Sequence, residues 1–325
     1  QLASEPQERA ALLDVLADVH FRLGLYQHSR DLHAARLATF RELEGPQGPW
    51  VTDARIDLAS SLIELGEVDA AAAQIDSCLA WRRTRPRDDP DWLGIPRSIR
   101  ARIASERRDF ATAVPLYREV LATYDPADPG RQEALGRGWT NLGVALAGLG
   151  RSAAADSAYA RAEVHFRRSL PEHHSSFGAL YGNWALTAQI LGDLERAERL
   201  QRQALTIKRR LKHNQVEIGL TLTNLGNLLV ERGRPAEALP HLQEALAIQR
   251  DAFGERHLYV AAAEINLGLG LLATGDAPAA DRRFATGERI FRDLYGDDST
   301  PVAVALTRRA QAARARGDLA GAADL

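Results

Sequence analysis

Two adjacent histidines, His173 and His174, carry imidazole groups of the kind that bind metal ions. Zinc needs three or four ligands at suitable spacing, and no Cys/His cluster accompanies the pair. The single cysteine, Cys78, has no second cysteine with which to form an internal disulfide. It also stands at a repeat position that alanine occupies elsewhere. We therefore interpret the histidines as solvated loop residues and Cys78 as a small buried residue, and we expect no metal site.

The segment Gly268–Gly270, followed by Gly275, imitates a phosphate-binding loop. Such a loop continues into Lys and then Ser or Thr, whereas this sequence has Asp276 and Ala277, and no strand pattern precedes it. No Ser/His/Asp set and no pair of carboxylates stands out from the charged helix faces. The residues therefore predict a chain that is not an enzyme and binds no cofactor, so that any catalytic domain would lie outside it.

The most informative polar residues are asparagines that recur at one phase. Four of them stand nine residues before a glycine, and a fifth lies one helical turn further along; they are Asn141, Asn183, Asn224, Asn266 and, as the fifth, Asn227. Asparagine is a mediocre helix former, yet its amide both donates and accepts hydrogen bonds. A row of carboxamides could bind an extended peptide backbone whatever its side chains. The alternative is that the asparagine belongs to an ancestral unit that was copied by duplication and has no use.

The elements that carry these asparagines repeat along the whole chain. Turn residues recur at spacings of 42, with one of 41, at Gly24, Gly66, Arg108, Gly150, Gly192, Gly233, Gly275 and Gly317. Five residues after each turn, and seven before it, the residue is always Gly, Ala or Ser. Larger apolar residues follow the i, i+3, i+4 spacing of a helix. Each unit is therefore predicted to be a helix, a tight turn with a left-handed residue, and a second helix that approaches the first closely.

Between the units, segments rich in Gly, Pro, Asp and His predict connecting loops, of which Arg85–Pro96 is the longest. Pro115 and Pro240 lie seven residues after their turns, where we expect a shifted helix start or a slight bend. We predict one all-α solenoid over residues 1–325, with seven full repeats and a partial eighth. The approximate units are 9–44, 51–86, 94–125, 135–170, 177–212, 218–253, 260–295 and 302–325.

The composition excludes several classes of protein. Apolar residues make up 45 % of the chain, and 41 basic residues nearly balance 43 acidic ones, for a formal charge of −2. This balance gives no electrostatic footprint for nucleic acid, and no apolar run is long enough to enter a membrane.

The chain has no Met and begins with Gln1, so we expect a piece of a longer protein. Its many arginines and alanines indicate a GC-rich, bacterial genome, and a cytoplasmic location is favoured.

The segment Trp139–Gly143, followed by Gly150, Ala155 and Tyr159, resembles the tetratricopeptide signature. Asn224–Leu229 and the units around it resemble the 42-residue variety found in kinesin light chains and in bacterial regulatory proteins. The opening segment, from Glu8 to Leu43, resembles the start of repeat arrays that follow the kinase domain in bacterial serine/threonine kinases.

The resemblance implies a right-handed superhelix whose first helices line a concave groove. In it we expect Asn141, Asn183, Asn224, Asn227, Asn266 and Arg308 to contact a peptide or protein partner. Val15, Asp57 and Ile99 occupy the asparagine phase in the first three units, which predicts a change from an acidic or apolar end to a basic end near Arg308. The expected function is a regulatory or scaffolding interaction module. The alternative is a structural module that self-associates through the ends of the solenoid.

Overall fold

The computed structural model describes residues 5–87, 89–211 and 215–323. Throughout these ranges the regular structure is helical, so the all-α prediction is confirmed. The chain divides into two compact units, the first within residues 1–170 and the second within residues 171–325. The single continuous domain over residues 1–325 stays a prediction, and the predicted boundaries at Lys212 and Leu325 lie outside the described residues.

The first unit contains four helical hairpins. Its helices are α1 (Pro6–Arg22), α2 (Tyr26–Glu44), α3 (Pro49–Glu64), α4 (Val68–Arg83), α5 (Pro90–Glu106), α6 (Phe110–Ala122), α7 (Gln132–Gly148) and α8 (Ser152–Ser169), with a short 3-10 turn at Pro129–Arg131. Each odd-numbered helix packs against the helix that follows it, and α2, α4 and α6 each also pack on the first helix of the next hairpin. The first helices α3, α5 and α7 contact one another in sequence.

The second unit repeats this arrangement. Its helices are α9 (Ser175–Ile190), α10 (Leu194–Arg210), α11 (Gln215–Glu231), α12 (Pro235–Phe253), α13 (Leu258–Ala273), α14 (Ala277–Tyr295), α15 (Thr300–Ala315) and α16 (Leu319–Ala323). Here α11, α13 and α15 form the row of first helices in contact. The core therefore lies between the two helices of each hairpin and between successive hairpins, as the repeat pattern predicts.

All eight predicted turn residues are in the left-handed region, with φ between 59° at Arg108 and 90° at Gly275. After each turn, the next backbone N–H donates to a carbonyl five residues earlier, which is the Schellman hydrogen bond; for Asp193 this bond to Ala188 is 3.0 Å. The Asp193 carboxylate then accepts the N–H of Arg196 at 3.0 Å and caps α10. One residue thus ends the first helix and begins the second.

Small residues allow the two helices of a hairpin to approach closely. A methyl group at Gly143 would lie 2.5 Å from Tyr159, and one at Gly268 would lie 2.4 Å from Phe284. A second series of small residues, seven positions earlier on the first helix, makes contacts of the same kind: a methyl group at Gly136 would lie 2.4 Å from Phe166. Because seven residues are about two helical turns, both series lie on one face.

The prediction that Arg85–Pro96 forms a loop is wrong from Pro90 onward, because α5 begins there. The Asp89 side chain caps this helix, and Pro90 lies at a first-turn position where proline needs no N–H partner. Pro96 lies inside the helix and leaves the Trp92 carbonyl without its helical donor. Arg82 replaces that donor, with Nη1 2.8 Å from the Trp92 oxygen. Pro115 and Pro240 likewise lie inside α6 and α12.

Arginine–carboxylate pairs connect successive hairpins. The arginine lies on the earlier hairpin in one pair and on the later hairpin in the other. In the first unit Arg30 on α2 donates to Glu67, the residue after the next turn, at 2.9 Å. In the second unit Glu198 occupies the same position on α10 and accepts from Arg234, again the residue after the next turn, at 2.8 Å. Both pairs therefore connect equivalent positions with the charges exchanged.

Candidate functional site

The five asparagines lie on first helices, as predicted: Asn141 on α7, Asn183 on α9, Asn224 and Asn227 on α11, and Asn266 on α13. All five side chains are half-buried, so each can present part of its amide to solvent. Asn141 belongs to the first compact unit and the other four belong to the second. Their contact with a ligand stays a prediction.

In the first unit Asn141 lines a cavity of about 510 Å³. Its walls come from α5, α6, the residue Tyr124 that follows α6, and α7, with single residues from α1 and α3. The apolar part includes Ile95, Ile99, Leu121 and Tyr124. Ile99 stands at the asparagine phase of its own repeat, so that phase faces the cavity on two successive first helices. The cavity combines an aliphatic surface with one carboxamide.

Two arginines give the cavity a polar rim. Arg102 forms an ion pair with Glu64, and its Nε also lies 4.0 Å from Glu106. Arg137 forms an exposed ion pair with Glu133 at 2.8 Å. Exposed pairs of this kind contribute little to stability and exchange partners easily. The Arg137 guanidinium therefore remains able to meet an acceptor on a ligand.

The predicted acidic end of the groove is a set of ion pairs. Asp57 lines a neighbouring cavity of about 360 Å³ together with Asp53, Asp89 and Asp91. Burial raises the pKa of the Asp57 carboxyl, and the ion pair with Arg36 opposes this shift. Asp53 and Asp91 are paired in the same way with Arg82 and Arg131. Most of the negative charge here is therefore compensated within the protein.

In the second unit two of the asparagines bind each other. The Asn227 Nδ2 donates to the Asn266 Oδ1 at 3.2 Å, which joins α11 to α13. This bond leaves the second proton of the Asn227 amide and one lone pair of the Asn266 oxygen for a ligand. The hydrogen bond orients both amides. The sequence analysis did not find it, because spacing along the sequence does not show which side chains of neighbouring repeats meet.

Exposed aliphatic residues lie on the first helices that carry Asn183, Asn224 and Arg308. They are Leu186 and Ile190 on α9, Leu220 on α11 and Val304 on α15. Leu186 and Ile190 lie three and seven residues after Asn183, and Leu220 lies four residues before Asn224, so helical periodicity places them beside the amides. Sequence reasoning missed them because the search followed polar residues. These residues could have been found from the sequence, because each is a large apolar residue at a helical phase where a fully solvated face would carry polar residues.

Arg308 occupies the asparagine phase on α15, where it is half-buried and donates to Gln311 at 3.0 Å. The neighbouring Arg309 is engaged by Asp281 at 3.1 Å and Glu288 at 3.0 Å. The partner of the Arg308 guanidinium in its contact with Gln311 is a neutral amide, so this contact does not neutralise the positive charge. This is the feature of α15 that fits the predicted basic end.

The cysteine and histidine side chains that could have chemical roles are buried or make hydrogen bonds that stabilise the fold. Cys78 is fully buried, as predicted, and burial raises the pKa of its thiol to about 11. The His174 Nδ1 accepts the Ser176 N–H at 3.3 Å and so caps α9. His33 is buried and its Nδ1 lies 3.0 Å from Ser61 Oγ. Across the described ranges no three His, Cys, Asp or Glu side chains are placed to hold a metal ion, and no described helix is long and apolar enough to cross a membrane.

Comparisons with known proteins agree on the repeat. The family model of the MalT-like tetratricopeptide repeat region matches residues 97–325, and the tetratricopeptide repeat model matches residues 53–77. No curated protein matches the sequence.

Several solved structures are similar in fold. BtubC from P. vanneervenii is 23 % identical, with a TM-score of 0.56, over 77 % of this chain and 94 % of its own. The apo form of RapI is 12 % identical, with a TM-score of 0.68, over 84 % of this chain and 74 % of its own. NprR, solved in complex with its cognate peptide NprX, is 13 % identical, with a TM-score of 0.58, over 86 % of this chain and 77 % of its own.

Proposed function

The chain belongs to the MalT-like tetratricopeptide repeat family, and we propose that it is a non-catalytic module that binds a peptide or a partner's surface along its first helices. The observation that carries the proposal is the composition of one face in the second unit. There the half-buried amides of Asn183 and Asn224 share their helices with exposed aliphatic side chains, and Asn266 is half-buried on α13. Amides suit the backbone of an extended chain, and aliphatic groups suit its apolar side chains.

The cavity of the first unit supports the same function. It places Asn141 among aliphatic and aromatic residues, with Arg102 and Arg137 at its rim. A volume of about 510 Å³ is in the range of pockets that enclose small ligands, and it is sufficient for one or two side chains. The similar fold of NprR, which was solved with a bound peptide, is consistent with this use of the fold. We further propose a regulatory or scaffolding part in a larger bacterial protein.

The test begins with a peptide-array screen for a ligand and continues with titration of the double variant Asn183→Ala/Asn224→Ala. Each lost hydrogen bond has a net worth of about 0.5–1.5 kcal/mol, so affinity should fall by roughly 1–3 kcal/mol in total if the terms add. Helix stability should not fall, because alanine is the better helix former.

The matched control is Gln203→Ala/Gln243→Ala, which removes two exposed amides from the second helices α10 and α12. This variant should bind like the parent. Equal affinity of all three proteins, with equal melting curves, would show that the asparagine row is an inherited feature without a role in binding. A loss confined to the control variant would move the binding surface to the second helices.

A further inference from the structure

A third cavity of the first unit lies between α1, the second half of α2 and the first turn of α3; we call it the Trp50 cavity. Its volume is about 500 Å³, and its aromatic wall is formed by Phe40 and Trp50, whose rings stack with their centroids 5.8 Å apart. Ala11 and Leu43 complete the apolar part of the lining. Trp50 is 55 % exposed, so a large part of its indole is open to a ligand.

Carboxylates line the cavity beside this wall. Asp14 and Glu44 are accompanied by one guanidinium group, that of Arg36. Arg36 is buried and is shared by Asp14, at 3.1 Å, and Asp57. Glu44 accepts the backbone N–H of Trp50 at 3.1 Å and forms no ion pair with any described residue. The cavity therefore combines an exposed aromatic ring with more negative than positive charge.

Each of the other four tryptophans of the chain has an arginine over its ring. The Cζ atoms lie 4.0–4.6 Å from the ring centroids, and the contacts are Arg85 over Trp81, Arg82 and Arg87 over Trp92, Arg161 over Trp139, and Arg196 over Trp184. A guanidinium group is flat and weakly hydrated, so it stacks well on an aromatic face. No described guanidinium lies over Trp50, although its ring is the most exposed of the five.

The most direct comparison is with Trp92, which stands at the position equivalent to Trp50, 42 residues later. Trp92 lines the neighbouring cavity together with four aspartates, and the Arg87 guanidinium covers its ring at 4.0 Å. The residue equivalent to Arg87 in the first repeat is Gly45, which has no side chain to place there. The Trp50 cavity thus has the aromatic ring and the carboxylates of its neighbour without an arginine over the ring.

We propose that the Trp50 cavity takes the side chain of an arginine from a partner peptide. The guanidinium stacks on Trp50 and pairs with Glu44, and its methylene groups lie against Leu43. The first helices α1 and α3 both line the cavity, so it lies on the elements along which the proposed partner binds. The first four residues of the sequence, Gln-Leu-Ala-Ser, have no cationic side chain and cannot supply this group. The inference rests on the proposed binding function but does not depend on the asparagine row.

Titration with four short peptides tests the preference for arginine. The peptides have the form acetyl-Ala-Ala-X-Ala-Ala-amide, with Arg, Lys, Gln or Glu as X, and binding is followed in the ¹H–¹⁵N NMR spectrum of the chain. The Arg peptide should shift the Trp50 indole signal and the Leu43 backbone signal until both saturate. The Lys peptide should bind more weakly, because an ammonium group does not stack as a plane, and the Gln and Glu peptides should leave both signals in place.

Two variants separate the contributions of charge and stacking. Glu44→Gln removes one charge and keeps an oxygen for the Trp50 N–H, so the dissociation constant of the Arg peptide should rise about two- to fivefold. Trp50→Leu should raise it by about the same factor, measured at the Leu43 signal. The matched controls are Glu42→Gln, on the same helix but outside the cavity, and Tyr295→Leu, which removes a ring that is 51 % exposed. Both controls should bind the Arg peptide like the parent, and far-UV circular dichroism should show equal helix content.

Several outcomes would overturn the proposal. A Trp50 signal that the Arg peptide leaves unmoved would show that the cavity accepts no guanidinium, and equal shifts with the Gln peptide would show that charge plays no part. Equal weakening by Glu44→Gln and Glu42→Gln would place the contact elsewhere. A loss of affinity in Asn183→Ala/Asn224→Ala together with an unresponsive Trp50 would refute this subsite and leave the proposed function standing.

Discussion

Two glycines inside helices should respond in opposite ways to the same substitution. Gly268 on α13 has Phe284 so close that an added methyl group would lie 2.4 Å from the ring, and Phe284 itself is fully buried. Gly182 on α9 has open space, with no atom within 4 Å of an added methyl group. Gly268→Ala and Gly182→Ala therefore make one chemical change in two different surroundings.

The magnitudes follow from two opposing terms. Alanine is the better helix former in a helix interior by about 0.5–1 kcal/mol, and this gain applies to both variants. Only Gly268→Ala adds a methyl group to a filled contact, which costs about 1–3 kcal/mol. Phe284 packs with Ile265, Ala280 and Ala305, so the ring has little room to retreat. Gly182→Ala should stabilise the protein by about 0.5–1 kcal/mol, and Gly268→Ala should destabilise it by up to roughly 2.5 kcal/mol.

Urea denaturation followed by far-UV circular dichroism measures both changes. Because repeat arrays lose cooperativity with length, hydrogen exchange of the α13 and α9 amides should accompany it as a local readout. The difference between the two variants cancels the helix term and isolates the contact. A Gly268→Ala variant at least as stable as Gly182→Ala would refute the assignment of these small residues to close helix contacts.

Other changes test single features of the fold. Arg108→Gly should stabilise the protein by about 0.5–1 kcal/mol and so raise the urea midpoint. A non-glycine residue in the left-handed region costs about 1–2 kcal/mol, and the greater conformational entropy of glycine in the unfolded chain offsets part of the gain. Burial lowers the pKa of His33 from 6.5 to about 4, so protonation of this side chain favours the unfolded chain. The free energy of unfolding should therefore fall by up to about 3 kcal/mol as the pH falls from 6.5 to 4. Denaturation at several pH values should show a smaller fall for His33→Leu. Glu264→Gln should lower the free energy of unfolding by about 1–3 kcal/mol, since the fully buried carboxylate accepts from Arg250 at 2.6 Å and Arg283 at 3.3 Å; an unchanged urea midpoint would contradict this.

The fold was largely predictable because the repeat appears in the turn residues. The 42-residue spacing located every turn, including the one at Arg108, because a hairpin needs a left-handed residue there whatever its side chain. The beginning of α5 was not predictable in the same way. Its prolines are typical of a loop, and only the three-dimensional contact of Arg82 with the Trp92 carbonyl explains how Pro96 is tolerated inside a helix.

The helices that carry the asparagines were predictable from the sequence, but the contacts and neighbours of the asparagines were not. Helical phase placed the asparagines on first helices, and the structure confirms that placement. The hydrogen bond between Asn227 and Asn266 depends on the approach of two different repeats, which periodicity does not determine. Exposed aliphatic residues such as Leu186 and Ile190 look like core residues in a sequence, because the i, i+3, i+4 pattern does not reveal which face stays open.

The reversed polarity of the pairs between hairpins bears on how such a gene could evolve. Arrays of this kind grow and shrink when recombination between similar copies adds or removes whole units. Here Arg30 meets Glu67, whereas the equivalent Glu198 meets Arg234. A deletion that joined α2 directly to α11 would bring Arg30 against Arg234, two cations at one junction. These two junctions therefore accept their own neighbours and penalise this exchange, so that selection would preserve the order of the hairpins that they join.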